Sequence, residues 1–501
     1  LAWHWTMDDA FISLRYVENF WGGAGLVFNP GERVEGITNI GWVVVLLPIS
    51  RFLDPVVAAK VLAAVFLGLA FLGMIRLGLA VAHSIGQREM GLPIHLYVVP
   101  PVLFALVQFE LMFFSASGME TALIAFGLVA CAVLLVKDRG LVPAAAISAL
   151  LFSVHPEAVL IWPLTQLFLV AGKGRDGLAG FWKANTVFVG IVAGITFWRF
   201  LYYGSFLPNT AVAKTTSLIG IAERSYGVLA GNCPIVPPLL AGIPTYLLVA
   251  VGVSTIFLVK ARAGAFLGAA YFVGILFAVY AGQDWTSLGR YFAPFVPVTM
   301  ISLWWGMVAI MEWLWGRAGW RRELMVLVAI GLVTAIGATF GVRTLTRLTQ
   351  KQLERYPGYV MTSSYLIEPA NWISQHVPAS SVIATRRIGA VGFYSGHRVF
   401  DWKWGLTDPE VARWPSEVTI RSLLDDDAFS EVWRGRAPDF FLEDRSIIEA
   451  VCSLGAGQPE SFLICGWPYR VVKRFPLGAA EEWWLCSRED NGYSSINSPP
   501  E

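Results

Sequence analysis

Charge is scarce in this sequence, and the little there is cancels. Only 15% of the 501 residues are Asp, Glu, Lys or Arg, where a soluble domain carries about 25%. The 37 basic residues stand against 36 acidic ones, a formal charge of +1, so no basic field points to nucleic acid. Cysteine is sparse as well. The five present show no metal-ligand spacing, which argues against a zinc finger or a disulfide-built scaffold. No cofactor or metal site is implied, although a divalent cation stays open as a ligand wherever carboxylates adjoin.

Hydrophobic residues fill the space that charge leaves. They make up 56% of the chain, and the mean hydropathy is +0.59. A helix crosses a bilayer with roughly 20 apolar residues. Ten segments approach that: about 56–82, 92–113, 119–136, 141–154, 157–172, 181–203, 236–259, 264–281, 293–315 and 323–341. Two are short and are expected to tilt or break near Pro156. The expected fold class is a polytopic α-helical membrane protein with a C-terminal soluble α/β domain.

Basic residues give the orientation. Arg76 and Arg88, Lys137 and Arg139, Lys173 and Arg175, Lys260 and Arg262, and Arg317, Arg321 and Arg322 occupy alternate short loops. The positive-inside rule makes that side cytoplasmic. The opposite loops carry Glu120, His155, Glu157, Asn209, Lys214, Asp284 and Arg290. Ile40–Leu53 is apolar but contains Pro48 and is too short to span. It reads as an interfacial helix, with Phe11–Trp21 as a second one. Residues 6–55 then form a first outer loop. The opening LAWHWTMDD has no initiator Met, and a first transmembrane helix ending at Leu1–Trp5 is expected ahead of it.

Near residue 343 the hydropathy changes, dividing the chain into a membrane domain (1–342) and a soluble domain (343–501). SVIAT, HRVFDW, PDFFLED, SFLIC, YRVVKRF and EEWWLCS read as strands, with helices about 365–377 and 408–424. By parity this domain is extracytoplasmic. Cys452, Cys465 and Cys486 within it and Cys233 in an outer loop would permit one disulfide there.

Ionisable side chains at membrane depth are costly and mark function by default. Here they gather at the outer helix ends: Asp8, Asp9, Glu35, Glu110, Glu120, His155, Glu157, Arg199, Lys214, Asp284 and Arg290. Solvated loop ends and structural ion pairs explain any one of them. A one-sided gathering from six or more loops points to a site at one mouth of the bundle. Asp8-Asp9 is the sharpest feature, two carboxylates opening an amphipathic segment where a helix dipole favours anions. An ionised carboxylate there can take a proton from a hydroxyl. Helix capping alone would need only one of them. Lys214, Arg290 and His155 are candidates for a phosphate, which needs cations or strong donors. Glu35, Glu120, Glu157, Asp284 and Trp285 are candidates for the remaining substrate contacts, with Tyr291 and Phe292 adding ring surface.

These residues sit in stretches that carry a resemblance. DDAFISLRYVENFWGGAGLVFNPGERVEGITNIGW is similar to the first outer loop of the GT-C glycosyltransferases, and most similar to the mycobacterial terminal arabinofuranosyltransferases that cap arabinan. SGMETAL, HPEAVLIWP, LPNTAVAK, GQDWTSLGRYFAPFVP and IGAVGFYSGHRVFDWKWGLTDPEVAR continue it in order across residues 6–415. The family usually has Arg where His155 stands and Gly where Ala158 stands. The resemblance implies inverting transfer of one sugar, arabinofuranose being a candidate, from a polyprenyl-phosphate donor to a cell-envelope glycan or glycolipid. The site would lie on the outer face of the cytoplasmic membrane, with Asp8 as base. A secondary transporter or lipid flippase is the rival class. It would place charge near the midplane and show inverted repeats, whereas these charges lie at one face and no repeat is evident.

Overall fold

A computed structural model describes residues 5–85, 94–136, 140–173, 180–213, 261–281, 290–318, 331, 357–414, 418–454, 461–476 and 482–491. The expected spans 236–259 and 323–341 and the boundary at 343 fall outside these residues, apart from 331.

The chain opens with α1 (Asp8–Trp21) and α2 (Ile40–Ser50). At 1.5 Å per residue they are about 21 and 16 Å long, too short to cross a hydrocarbon core of about 30 Å. Among the described residues two helices are long and apolar enough to cross: α3 (Pro55–Ile85), over Pro55–Ala80, and α9 (Phe181–Tyr203), over Trp182–Tyr203. The expected continuous span 92–113 is instead broken. α4 (Ile94–Leu106) and α5 (Phe109–Ala116) meet at 59°. The Val107-Gln108 link ends the first helix, and Gln108 takes extended backbone as the N-cap of the second.

The bundle continues with α6 (Thr121–Val136), α7 (Leu141–Leu151), α8 (Ile161–Lys173), the short α10 (Asn209–Ala213), α11 (Ala261–Ala281) and α12 (Val296–Ala318). Pro156 starts a 3-10 turn, Pro156–Leu160, ahead of α8, which is the break expected there. Small residues let these helices approach closely. A Cβ on Gly127 would lie 2.7 Å from Leu151, and one on Gly274 2.8 Å from Phe295.

The C-terminal unit holds α13 (Pro357–His376), β1 (Val382–Ala384), α14 (Ile388–Ser395), β2 (Arg398–Phe400), α15 (Ile420–Leu424), α16 (Asp427–Arg436), β3 (Phe440–Asp444), α17 (Arg445–Leu454), β4 (Ser461–Ile464), β5 (Trp467–Pro476) and β6 (Glu482–Arg488). The strands form one mixed sheet in the order β2-β1-β3-β6-β5-β4, parallel from β2 to β3 and antiparallel beyond. Each of the six strand-like sequence runs contributes one strand. Trp402, Phe429, Trp433, Phe441, Tyr469 and Trp484 build a separate aromatic core on this sheet. The helix expected at 408–424 is instead a 3-10 turn, Val411–Arg413, followed by the five-residue α15. Cys465 is a free thiol beside the β4–β5 turn, so it forms no disulfide. Cys233 lies outside the described residues.

The N-terminal segment, residues 6–55, binds the C-terminal unit through backbone and side chain. Phe11 and Leu14 share one apolar core with Ile388 and Val391. Phe11 meets Phe393 and Tyr394 at 5.3 Å between ring centroids. Asn29 acts as an extra rung beside β2, accepting from Val399 N–H at 3.0 Å and donating to its carbonyl at 2.9 Å. Arg15 donates to the carbonyl of Gly396 at the C-terminus of α14.

Candidate active site

The two carboxylates that open α1 part company. The N-cap of α1 is Met7, which offers no side-chain cap, and neither Asp8 nor Asp9 occupies that position. Capping of its own helix therefore explains neither carboxylate. Asp9 turns to Arg290, with Nη1 to Oδ2 at 2.5 Å, and keeps its side chain 32% exposed. Asp8 turns the other way and is buried, 4% exposed.

Asp8 meets the N-terminus of α14. Ala390 N–H donates to Oδ1 at 2.8 Å and Gly389 N–H to Oδ2 at 3.4 Å. The N-cap residue of α14, Arg387, makes no side-chain cap, so the open amides of this helix take a carboxylate from 381 residues away. The helix dipole favours that anion. Burial nonetheless dominates and pushes Asp8 up to about 6; Ala390 N–H pulls it down, Asp9 raises it, and Arg387 and Gly389 N–H lower it. A carboxylate has about four lone-pair directions, and two amides do not use them all.

A third segment completes this end of the bundle. Met7 N–H donates to the carbonyl of Ser117, and Trp42 Nε1 to that of Gly118. Gly118 has a φ of 89°, and a Cβ there would lie 3.3 Å from Ala10. This tight turn delivers Glu120, which accepts from Asn39 Nδ2 at 2.7 Å. Ser13 Oγ donates in turn to Asn39 Oδ1. Glu120 lies within electrostatic reach of Asp9 and Arg290, and burial raises its carboxyl above the usual range. Among the predicted site residues, Asp8, Asp9, Glu120 and Arg290 therefore come together.

Other expected residues do not join them. Glu35, a candidate substrate contact, lies in an ion pair. Its carboxylate pairs with Arg199 Nε at 2.6 Å, and both side chains are 2% exposed. Its loop is tied down as well, with Asn209 N–H on the Glu35 carbonyl and Tyr16 Oη accepting from Gly36 N–H. The buried His155 pairs with the half-buried Glu157, and the His155 ring packs on Phe277 and Phe295. Phe277 contacts Tyr291, whose ring lies under the Arg290 guanidinium at 5.4 Å. That pair therefore flanks the cluster through a run of rings. Lys214, Asp284 and Trp285 lie outside the described residues. Among the described residues no group of three or more His, Cys, Asp or Glu is placed to hold a metal.

The residues that sequence reasoning missed are Gly389 and Ala390. The available signal was the Gly389–Gly392 spacing, one helical turn of small residues. A Cβ on Gly389 would lie 1.9 Å from the Asp8 carbonyl oxygen and one on Gly392 2.5 Å from the Phe28 ring.

Residues 316–493 match the model of a domain of unknown function, DUF8728. The chain is similar to the terminal β-(1→2)-arabinofuranosyltransferase of Mycobacterium tuberculosis, 28% identical over 237 residues, which is 42% of this chain. The match spans about a third of the length of that relative, 35%. Two solved folds are similar at 12% identity. The oligosaccharyltransferase of Archaeoglobus fulgidus, tethered to an acceptor peptide, superimposes with a TM-score of 0.54 over 88% of this chain and 66% of its own. ArnT of Cupriavidus metallidurans, bound to undecaprenyl phosphate, does so with a TM-score of 0.52 over 100% and 96%. The chain shares the GT-C fold of these solved structures, a polytopic helical membrane fold.

Proposed function

We propose that this chain is an inverting glycosyltransferase. It moves one sugar from a polyprenyl-phosphate donor to a glycan or glycolipid acceptor on the outer face of the cytoplasmic membrane. The observation that carries the reading is the placement of Asp8, Asp9, Glu120 and Arg290 at one end of a GT-C bundle. Support for the donor class comes from the undecaprenyl phosphate bound by the similar ArnT fold. Arabinofuranose as the transferred sugar rests on the curated relative.

The residues divide the chemistry as follows. The acceptor hydroxyl loses its proton to Asp8 as its oxygen bonds to the anomeric carbon. The bond from that carbon to the phosphate oxygen breaks, and polyprenyl phosphate leaves with the electron pair. Attack from the face opposite the phosphate inverts the anomeric centre. Asp8 suits the base role, because a carboxyl near 6 is ionised at neutral pH yet more basic than an exposed one. Asp9 already has its charge matched by Arg290, and so serves to orient the guanidinium. Arg290 faces the leaving phosphate, for which a guanidinium is well shaped. Lys214, a cation in the loop sequence LPNTAVAK, is the second candidate phosphate ligand on the ground of its charge and sequence position.

Two experiments test this. Protein in liposomes should transfer radiolabelled sugar from a polyprenyl-phosphate donor to an acceptor added outside. Label crossing the bilayer without a new glycosidic bond would instead indicate a transporter. Arg290→Ala should lower donor affinity or turnover by about 10- to 100-fold, the loss of one charge-assisted contact; wild-type values for both would remove Arg290 from the phosphate site.

Orientation is part of the proposal. Residues 6–55 and the C-terminal unit contact each other, so they share one side of the membrane, which the basic loops make the outer one. A cysteine placed at Gly31 should react with a membrane-impermeant reagent on intact cells. Labelling only after permeabilisation would invert the topology and end the proposed mechanism.

A further inference from the structure

We infer that the N-terminal turn of α14 is a positioning element for the general base, which makes the C-terminal domain a working part of the active site. Gly389, Ala390 and Arg387 would be its positioning residues. This rests on the assignment of Asp8 as base.

Geometry carries the inference. Asp8 Oδ1 and Oδ2 each receive a backbone amide from successive residues of α14. Backbone donors fixed in a helix do not rotate, so the plane of the carboxylate is set by the position of α14 itself. That position is determined closely at both ends. At its start the Gly389 Cα rests on the Asp8 backbone, where a Cβ would be 1.9 Å from the carbonyl oxygen and 2.9 Å from Oδ1. At its end Arg15, one turn and more along the helix of Asp8, holds the Gly396 carbonyl at 2.9 Å. Between them Gly392 admits Phe28 and Phe393 packs on Phe11. α1 and α14 therefore interlock as one unit built from opposite ends of the chain. A stabilising contact alone would not require so close an approach to fall at Asp8, the residue whose carboxylate the same turn holds.

Among the described residues the charges around Asp8 are few. Asp9 faces it from its own helix and Arg387 from the start of α14. Of the other charged groups on adjoining elements, Arg290 is directed to Asp9, Glu120 to Asn39, Lys60 on α3 to the Trp5 carbonyl and Arg15 to Phe28 and Gly396. Among the described residues Arg387 is thus the cation that opposes the effect of burial on Asp8.

Reconstituted Gly389→Ala, Arg387→Gln and Asp8→Asn test the inference, with kcat, donor KM and the pH dependence of transfer as readouts. Gly389→Ala should lower kcat by about 10- to 100-fold with little change in donor KM, as expected when a catalytic group is displaced by an ångström. Arg387→Gln should move the acidic limb of the rate profile to higher pH, by about half a unit or more, because a lost cation favours the protonated acid. A merely structural role for α14 would not move that limb. Wild-type kcat in Gly389→Ala or an unmoved limb in Arg387→Gln overturns the inference; if Gly389→Ala does not fold, the limb decides alone. Full activity in Asp8→Asn would refute the base assignment itself. An inactive Asp8→Asn beside normal Gly389→Ala and Arg387→Gln would refute the positioning role only.

Discussion

Asp8→Asn should fold, bind donor and lose transfer by about 10²–10⁴-fold, the usual contribution of a positioned base. Asparagine separates the two roles that the structure leaves to this side chain. As an N-terminal partner for α14 the amide is nearly as good as the carboxylate, since Asn and Asp cap helices about equally well. As a base it is useless. If Asp8 served only to cap α14, the substitution would leave both thermal stability and transfer close to wild type. Asp9→Asn should do less to the chemical step and more to donor binding, because it frees the guanidinium of Arg290 from the 2.5 Å pair. An inactive Asp9→Asn beside an active Asp8→Asn would move the base by one residue. Steady-state transfer and donor binding, measured on both variants, separate these outcomes.

Glu35→Ala should destabilise the protein by about 3–5 kcal/mol, the cost of leaving one half of a buried ion pair without the other. Glu35 and Arg199 are each 2% exposed, so water cannot reach the stranded guanidinium without local opening. Arg199 also lies against the Phe152 ring, which removes further room for solvent. The double variant Glu35→Gln with Arg199→Met should recover much of the loss, since a buried pair replaced by neutral groups of similar size is often close to neutral. Thermal unfolding in detergent reads both effects. A Glu35→Ala protein of normal stability that failed to bind substrate would restore Glu35 to the sugar site.

What could be read from the sequence follows the range of the interaction. Strands such as PDFFLED and EEWWLCS declare themselves by local pattern; β3 lies within the first, β6 overlaps all but one residue of the second, and the two pair antiparallel. The short Ile40–Ser50 helix and the break at Pro156 are likewise local facts of length and proline. The Asp8-Asp9 pair stood out because capping could not use two carboxylates. Their different partners could not be seen, because Asp9 finds Arg290 at a separation of 281 residues and Asp8 finds Ala390 at 382. α14 was overlooked for the same reason, as its eight residues bring no local cap and borrow one from α1. The pairing of Glu35 with Arg199, far along the chain in α9, is likewise invisible to local pattern. The kink after Leu106 carried no proline at the break, since Pro100 and Pro101 both lie inside α4.

The most direct measurement is the rate of sugar transfer by the reconstituted protein as a function of pH. A base must be ionised to accept the acceptor's proton, so activity should fall as pH drops through the Asp8 value of about 6, with the acidic limb absent from any residual rate in Asp8→Asn. A wild-type rate that holds down to the ordinary carboxylate range, about pH 4, or an identical limb in Asp8→Asn, would contradict Asp8 as the base.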